Sequence, residues 1–113
     1  MAYRKLGRES RKRLSIIRGL TKTVIMNGHV VTTEARAKEV RKFVDRMVTY
    51  GKKNTLLSRR QALAFVHNDK EVVEKVFNEL APKYKDRNGG YTRIIKLNER
   101  RGDDALEVRL ELV

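Results

Sequence analysis

The side chains best suited to binding chemistry in this sequence are arginines, and they gather around one short motif. Residues 86–102 read DRNGGYTRIIKLNERRG, with glycines at positions 89 and 90, Tyr91 after them and arginines on both sides. Lysine and arginine bind phosphates, and arginine donates several hydrogen bonds in one plane. A tyrosine ring beside them can stack on an unpaired base. The motif therefore favours binding to nucleic acid.

A second interpretation of the same motif needs no ligand. Glycine lacks a Cβ atom, so Gly89-Gly90 could let a ribose-phosphate chain approach closely, or could simply form a tight turn before a strand. In the second case Tyr91 would pack in the core instead of meeting a base. The spacing alone leaves both interpretations open.

Catalytic and metal-binding chemistry finds no support in the residues. His29 and His67 lie far apart without ligand-like spacing, and the paired carboxylates Asp103-Asp104 are explained by a turn. The Asn-Gly-Gly motif lacks the Lys-Ser/Thr ending of a nucleotide-binding loop. Cysteine is absent, which excludes disulfides and thiolate metal sites and fits a reducing cytosol. We expect no enzyme activity, cofactor, metal or small-molecule substrate.

Positive charge dominates the composition and is unevenly distributed. The 113 residues, enough for one domain, include 27 Lys and Arg against 14 Asp and Glu, a net charge of +13. Residues 1–22 carry net +7 and residues 83–101 net +5, whereas residues 67–79 carry −2 and residues 103–113 carry −3. This excess attracts polyanions. The pattern predicts a basic face and an acidic or neutral rear.

An anionic membrane is the alternative polyanion. No apolar run of about 18 residues occurs, so a bilayer-spanning helix is not predicted. A cationic amphipathic helix could lie on a membrane, but the apolar side of the first predicted helix has no Trp or Phe and is needed for the core. We therefore expect no membrane partner.

The first predicted helix covers residues 10–26 and ends at Asn27-Gly28, a pair suited to a left-handed cap. Residues 1–7 are predicted to form an extended basic arm before it. The apolar residues of this helix fall on one side, and a basic stripe steps by three or four along the other. The predicted cationic stripe comprises Arg8, Arg11, Ser15, Arg18 and Lys22.

Hydrophobic periodicity places the remaining elements. Thr33 is a candidate N-cap, Pro82 is expected to close the last helix, and alternation near the C-terminus indicates a strand with one wet face. The fold class is α+β, a small mixed sheet of about three strands packed against about four helices. The predicted elements are a strand at 29–32, helices at 33–51, 55–66 and 69–80, and a hairpin of strands at 91–97 and 105–112 with a basic loop.

Two other functions are conceivable from the residues. Helices 55–66 and 69–80 could form a DNA-binding helix-turn-helix, but the second helix is net acidic and fits poorly into a groove lined by phosphates. A small cationic ribonuclease would need paired acid–base groups, which the sequence does not bring together.

Five motifs in order resemble the bacterial large-subunit ribosomal protein seventeen family over nearly the whole chain. Each motif is weak alone, but the five together are specific. They are Arg4 to Arg8 (RKLGR), Val31-Thr32-Thr33 with Arg36 to Glu39 (RAKE), Arg59 to Leu63 (RRQAL), Arg87 to Ile94 (RNGGYTRI) and Arg100 to Asp103 (RRGD).

The resemblance implies a structural protein that binds and braces large-subunit ribosomal RNA, on the solvent side near the nascent-chain exit. It also implies neighbouring large-subunit ribosomal proteins as partners and a cytoplasmic location on the ribosome. By the same likeness, the opening arm and the Asn-Gly-Gly turn lie in RNA, with Tyr91 and Arg93 as contacts. Charge pattern and resemblance together predict these RNA-binding residues: Arg4, Lys5, Arg8, Arg11, Lys12, Arg13, Arg18, Lys22, Arg36, Arg59, Arg60, Arg87, Asn88, Gly89, Gly90, Tyr91, Arg93, Arg100 and Arg101.

Overall fold

The computed structural model of the chain describes the backbone of residues 2–99 and 106–113 and the side chains of residues 11–98 and 106–113. Within these residues helices pack on one face of a three-stranded sheet, which confirms the α+β class. In chain order the elements are α1 (Ala2–Asn27), β1 (His29–Thr33), α2 (Glu34–Lys53), α3 (Leu56–Phe65), α4 (Lys70–Lys75), a π-helical turn (Val76–Leu80), α5 (Ala81–Lys83), β2 (Thr92–Glu99) and β3 (Leu106–Leu112).

Helix α1 ends where the sequence predicts. Gly28 has φ +88°, and its N–H donates to the carbonyl of Val24 at 2.8 Å, so a glycine turns the chain from helix into β1. The helix begins at Ala2, so its backbone includes residues 2–7, for which the sequence predicts an extended arm. Alanine, leucine, lysine and arginine in that segment all favour helix.

The sheet has the order β1-β3-β2, and both pairings are antiparallel, which corrects the prediction of a mixed sheet. The hairpin of β2 and β3 accounts for one pairing, and β1 joins the free edge of β3. Arg109 lies between Val31 and Ile95 in one cross-strand row, and these two apolar side chains are exposed. Val108 and Leu110, on the alternate positions of β3, are fully buried. One face of the sheet therefore meets the helices.

Helix α2 runs two residues past Gly51, where the sequence predicts its end. Asn54 provides the left-handed cap instead, with φ 48° and its N–H bonded to the carbonyl of Tyr50. A Cβ atom at Gly51 would lie 3.0 Å from Val76 Cγ1 and 3.1 Å from Ala81 Cβ. The glycine therefore serves close packing between α2 and the π-helical turn, not helix termination.

The last helical segment also extends beyond its predicted end. Pro82 lies inside α5, near the start of that short helix, where a missing N–H is tolerated. The π-helical turn precedes it, and the N–H of Ala81 donates to the carbonyl of Val76, five residues back. Proline therefore follows a local widening of the helix.

The core lies between the inner sheet face and helices α1, α2 and α4 with its π-helical turn. Valine is its commonest residue, and α2 contributes the largest share. The largest fully buried side chains belong to Ile17, Val24, Ile25, Val40, Val44, Met47, Val48, Val66, Val72, Val73, Val76 and Leu110.

Candidate nucleic-acid interface

The structure describes most of the predicted RNA-binding side chains, and it separates them into exposed and internally engaged groups. Arg100 and Arg101 lie outside the described residues, and the side chains of Arg4, Lys5 and Arg8 are also outside them. Among the described ones, these are exposed: Arg11, Lys12, Arg13, Arg36, Arg60, Arg87, Asn88, Gly90 and Arg93.

A basic cleft of about 560 Å³ lies between α1 and the start of α2. Lys12 and Arg13 line it from α1, and Arg36 lines it from the first turn of α2. Arg13 Nε donates to Glu39 Oε2 at 3.1 Å, yet the Arg13 side chain remains 68% exposed. The cleft therefore joins two segments far apart in sequence into one surface suited to phosphate.

Arg18 and Lys22 turn toward the junction of α3 and α4, which corrects the prediction of one unbroken cationic stripe. Arg18 Nη1 lies 2.8 Å from Nε2 of His67, and its guanidinium carbon lies 5.6 Å from the centroid of the Phe65 ring. Lys22 Nζ is 3.5 Å from a carboxylate oxygen of Asp69. Because α4 packs against this end of α1, Arg18 and Lys22 stabilise the packing of these helices.

The two arginines of α3, Arg59 and Arg60, also differ: one is engaged within the fold and the other is exposed. The guanidinium carbon of Arg59 lies 4.5 Å from the centroid of Phe77, a cation–π contact that holds α3 against the π-helical turn. Arg60, the next residue, points in a different direction from the helix axis and is exposed. Of the RRQAL motif, Arg60 is therefore the better placed to meet a ligand.

The Asn-Gly-Gly turn is held by side chains from other elements. Lys52 Nζ, at the end of α2, donates to the carbonyl of Arg87 at 2.5 Å and to the hydroxyl of Tyr91 at 3.0 Å. That hydroxyl in turn donates to the same Arg87 carbonyl at 3.0 Å. These three bonds form a clamp, the Lys52–Tyr91–Arg87 clamp, across the base of the turn.

The ring of Tyr91 is buried, which corrects the expectation that it covers an unpaired base. Only 3% of the residue is exposed, and its ring packs on that of Tyr84 with centroids 5.1 Å apart. Lys52 Nζ lies 5.2 Å from the same ring. Tyr91 directly precedes the edge strand β2 and lies beside Lys52 at the end of α2, so its ring is buried and only its hydroxyl needs a polar partner.

The two glycines are required by backbone conformation. Gly89 has φ +89° and Gly90 has φ +62°, a region that residues with a Cβ atom avoid. A Cβ atom at either position would have nothing within 4 Å. The tip of the turn is therefore open toward solvent, with the side chains of Arg87 and Asn88 exposed beside it.

A carboxylate lies beneath this turn, in a hollow of about 430 Å³ that Lys53, Asn88 and Gly89 also line. Burial raises the pKa of Asp45 above its usual value of 3.8, whereas a hydrogen bond from the backbone N–H of Tyr91 and the charge of Arg41 oppose that rise. Asp45 therefore lies close to the backbone that leads into β2. Neither it nor Lys52 has a local sequence signal, since both act on residues about forty positions away.

Arg93 is exposed on the outer face of the sheet, and it is paired. Its Nε donates to Oε1 of Glu111 at 2.9 Å, and Arg109 Nε approaches the other oxygen of that carboxylate at 3.6 Å. The Arg93 side chain remains 62% exposed, so part of the guanidinium stays accessible. Glu111 partly neutralises its charge.

The described residues contain no group of three or more His, Asp or Glu side chains placed to hold a metal ion. In the same part of the chain, no helix is both long enough and apolar enough to cross a membrane.

Comparison with known sequences decides the family. A sequence profile of the family described as ribosomal protein L17 matches residues 16–113. The chain belongs to this family. Together with the relatives described next, the match confirms the resemblance to this family, and the chain is a structural, non-enzymatic component of the large ribosomal subunit.

Relatives within the ribosomal protein L17 family align over almost their full length. The large ribosomal subunit protein bL17 of Ligilactobacillus salivarius (strain UCC118) is 56% identical, covering 100% of this chain and 99% of the relative. That of Fusobacterium nucleatum subsp. nucleatum is 55% identical over 99% and 96% of the two chains. That of Thermoanaerobacter sp. (strain X514) is 56% identical over 100% of both.

Proposed function

We propose that this ribosomal protein L17 family member binds large-subunit ribosomal RNA directly and braces its folded segments. The observation that carries the proposal is the open tip of the Asn-Gly-Gly turn, where Arg87 and Asn88 are exposed above a clamped base. Because the clamp fixes the backbone in advance, little conformational entropy is lost on binding a phosphate chain.

Three exposed basic surfaces contribute to the proposed interface. The α1–α2 cleft offers Lys12, Arg13 and Arg36, helix α3 offers Arg60, and the turn offers Arg87. Binding of phosphates by such cations provides sequence-independent affinity that falls as salt rises. The basic segment before residue 11 and Arg100-Arg101 add further cations in sequence.

The acidic segment 67–79 supports an orientation for this interface. α4 exposes Glu71 and Glu74, which repel phosphates, so we place α4 away from the RNA. We further propose that the chain is one RNA-binding domain, on the solvent side of a cytoplasmic ribosome near the nascent-chain exit. Neighbouring large-subunit proteins are its other proposed partners. These finer placements are supported by the family resemblance.

Sedimentation tests association first. In cell extract at moderate salt, the chain should travel with the large subunit, and recovery only in the soluble fraction would contradict the proposal. Electron cryomicroscopy of large subunits that contain the chain would then place it. Density far from the tunnel exit would contradict the proposed location, and a surface surrounded by protein alone would contradict RNA binding.

Direct binding to purified large-subunit ribosomal RNA, measured over a series of salt concentrations, tests the residues. The double variant Arg60→Gln/Arg87→Gln should flatten the slope of log K against log salt by about 0.7–0.9 for each phosphate that is no longer neutralised. Lys70→Gln is the matched control, because Lys70 is an exposed cation on α4, the helix proposed to lie away from the RNA. Its slope should equal that of the unmodified chain.

A further inference from the structure

Leu56 and Leu57 form an exposed apolar pair at the first turn of α3. Their exposed fractions are 67% and 66%, above those of every other large apolar side chain in the described residues. Two adjacent leucines left in water would release favourable free energy on being covered. The sequence motifs do not point to them, because RRQAL begins after the pair.

The backbone under the pair is held in place by a capping box. Thr55 Oγ1 accepts from the N–H of Ser58 at 3.0 Å, and Ser58 Oγ accepts from the N–H of Thr55 at 2.9 Å. Asn54 caps the preceding helix α2 in a left-handed conformation, so the connection between the helices is short and ordered. The leucines are thus presented on a preorganised helix end.

The sequence around the pair carries positive charge only. Between Asp45 and Asp69 the sequence contains no carboxylate. Lys53 lies just before the pair, and Arg60, four residues after Leu56, is exposed on the same face of α3. An apolar spot bordered by cations fits a ligand that combines flat apolar surface with negative charge.

We infer that Leu56 and Leu57 cover the face of an unpaired base in bound RNA, while Lys53 and Arg60 contact the flanking phosphates. The inference rests on the proposed RNA-binding function. Unpaired nucleotides in loops and bulges expose base faces beside their phosphates, whereas a duplex stacks those faces inside. A protein partner would instead need its own carboxylates around an apolar surface to match this border.

The test compares Leu56→Ser/Leu57→Ser with the unmodified chain on two probes: purified large-subunit ribosomal RNA and a fully paired RNA duplex. On ribosomal RNA we expect at least about a tenfold loss of affinity, because the apolar area of two leucines is no longer buried. The slope of log K against log salt should stay unchanged, since the same phosphates remain neutralised. On the duplex, affinity should be unchanged.

Two controls make the result specific. Arg60→Gln should lower both affinity and salt slope on ribosomal RNA, which separates the effect of charge from that of apolar burial. Val31→Thr removes another exposed apolar side chain, 51% exposed on β1, and should leave binding unchanged. Thermal unfolding should show the leucine variant as stable as the unmodified chain, because both side chains are already in water.

Several outcomes would overturn the inference. These are unchanged ribosomal RNA affinity in the leucine variant, an equal loss on the duplex, or an equal loss in Val31→Thr. Preserved RNA affinity with weaker binding to a ribosomal protein or to anionic vesicles would assign the pair to that partner instead. Failure of the unmodified chain to bind ribosomal RNA would refute the proposed function itself, and that result differs from failure of the leucine variant alone.

Discussion

The C-terminal half of α1 and the segment around the Asn-Gly-Gly turn both carry an excess of basic residues, but the fold uses these charges differently. On α1, Arg18 and Lys22 contact His67, Phe65 and Asp69 at the junction of α3 and α4. At the turn, a lysine from α2 holds the backbone, and the side chain of Arg87 is left exposed.

The difference shows that the number of cations in a segment does not measure its capacity to bind a ligand. What decides is whether another element packs beside the cation. The junction of α3 and α4 lies against the end of α1 and engages its charges, whereas the tip of the turn has no neighbour within 4 Å of where a Cβ atom would stand on Gly89 or Gly90. Cations at open tips and cleft edges remain accessible to the proposed RNA ligand, and cations between helices stabilise the fold.

The largest expected effect tests whether the turn is built on a buried ring. Tyr91→Ala removes a core side chain and should lower the free energy of unfolding by about 3–5 kcal/mol. Tyr91→Phe keeps the ring and removes only the hydroxyl of the clamp, so a decrease of about 1 kcal/mol is expected. Urea denaturation of the free protein measures both.

Stacking on RNA would produce the reverse pattern for this residue. If the ring contacted a base, Tyr91→Ala would weaken RNA binding while leaving the urea midpoint of the free protein unchanged. That outcome would remove the contrast between the Asn-Gly-Gly turn and the end of α1. The turn would then bind RNA through the Tyr91 ring, and the ring would not be part of the core.

The next effect concerns the conformation of the turn. Gly89→Ala places a Cβ atom on a residue with φ +89°, which should cost about 1–2 kcal/mol of unfolding free energy. Gly19→Ala is the matched control, since Gly19 lies within α1 and also has open space around it. That change should stabilise by about 0.5–1 kcal/mol. Equal effects in thermal unfolding would mean that the turn does not depend on positive φ.

Local rules predict most of the elements, and packing between distant segments explains where they fail. The cap at Gly28 and the alternation along β3 are local, and both predictions are confirmed. Glycine often ends helices, which predicts a helix end at Gly51, but the role of this glycine is to admit Val76 and Ala81. Nothing near position 51 in sequence reveals that close packing.

The candidate site shows the same division. Exposure of Arg60 and Arg87 agrees with the charge pattern. Burial of Tyr91 depends on Tyr84 and on Lys52, 39 residues away, so the spacing around the double glycine could not distinguish stacking from packing. Engagement of Arg18 by His67 spans 49 positions of the chain, a distance that helical periodicity does not encode.

A smaller effect separates the two kinds of cation on α1. Arg18→Gln removes the interactions with His67 and the Phe65 ring, so unfolding free energy should fall by about 1 kcal/mol. Arg11→Gln, on the exposed side, should change stability by less than about 0.5 kcal/mol. It should instead flatten the salt slope of RNA binding by about 0.7–0.9.

Chemical denaturation and the salt series, run on both variants, measure this contrast. An Arg18→Gln variant that keeps full stability and shows a flatter salt slope for RNA binding would show that Arg18 contacts the RNA and does not stabilise the fold. The comparison between the end of α1 and the turn would then no longer hold.

The smallest effect concerns the carboxylate beneath the turn. Because burial raises the pKa of Asp45 in the folded state, the folded chain holds this proton more tightly than the unfolded chain. The stability contributed by the protonated Asp45 is therefore fully present below the usual pKa of 3.8 and is lost as pH rises through the folded-state pKa. The amide of the Asp45→Asn variant does not ionise, so this variant keeps its stability as the pH rises. Across that pH window it should therefore gain stability relative to the unmodified chain. The gain should stay below about 1 kcal/mol because the carboxyl is only half-buried.

Titration of the Asp45 carboxyl by NMR measures the pKa directly, and a value at or below 3.8 would show that the hydrogen bond from Tyr91 and the charge of Arg41 outweigh burial.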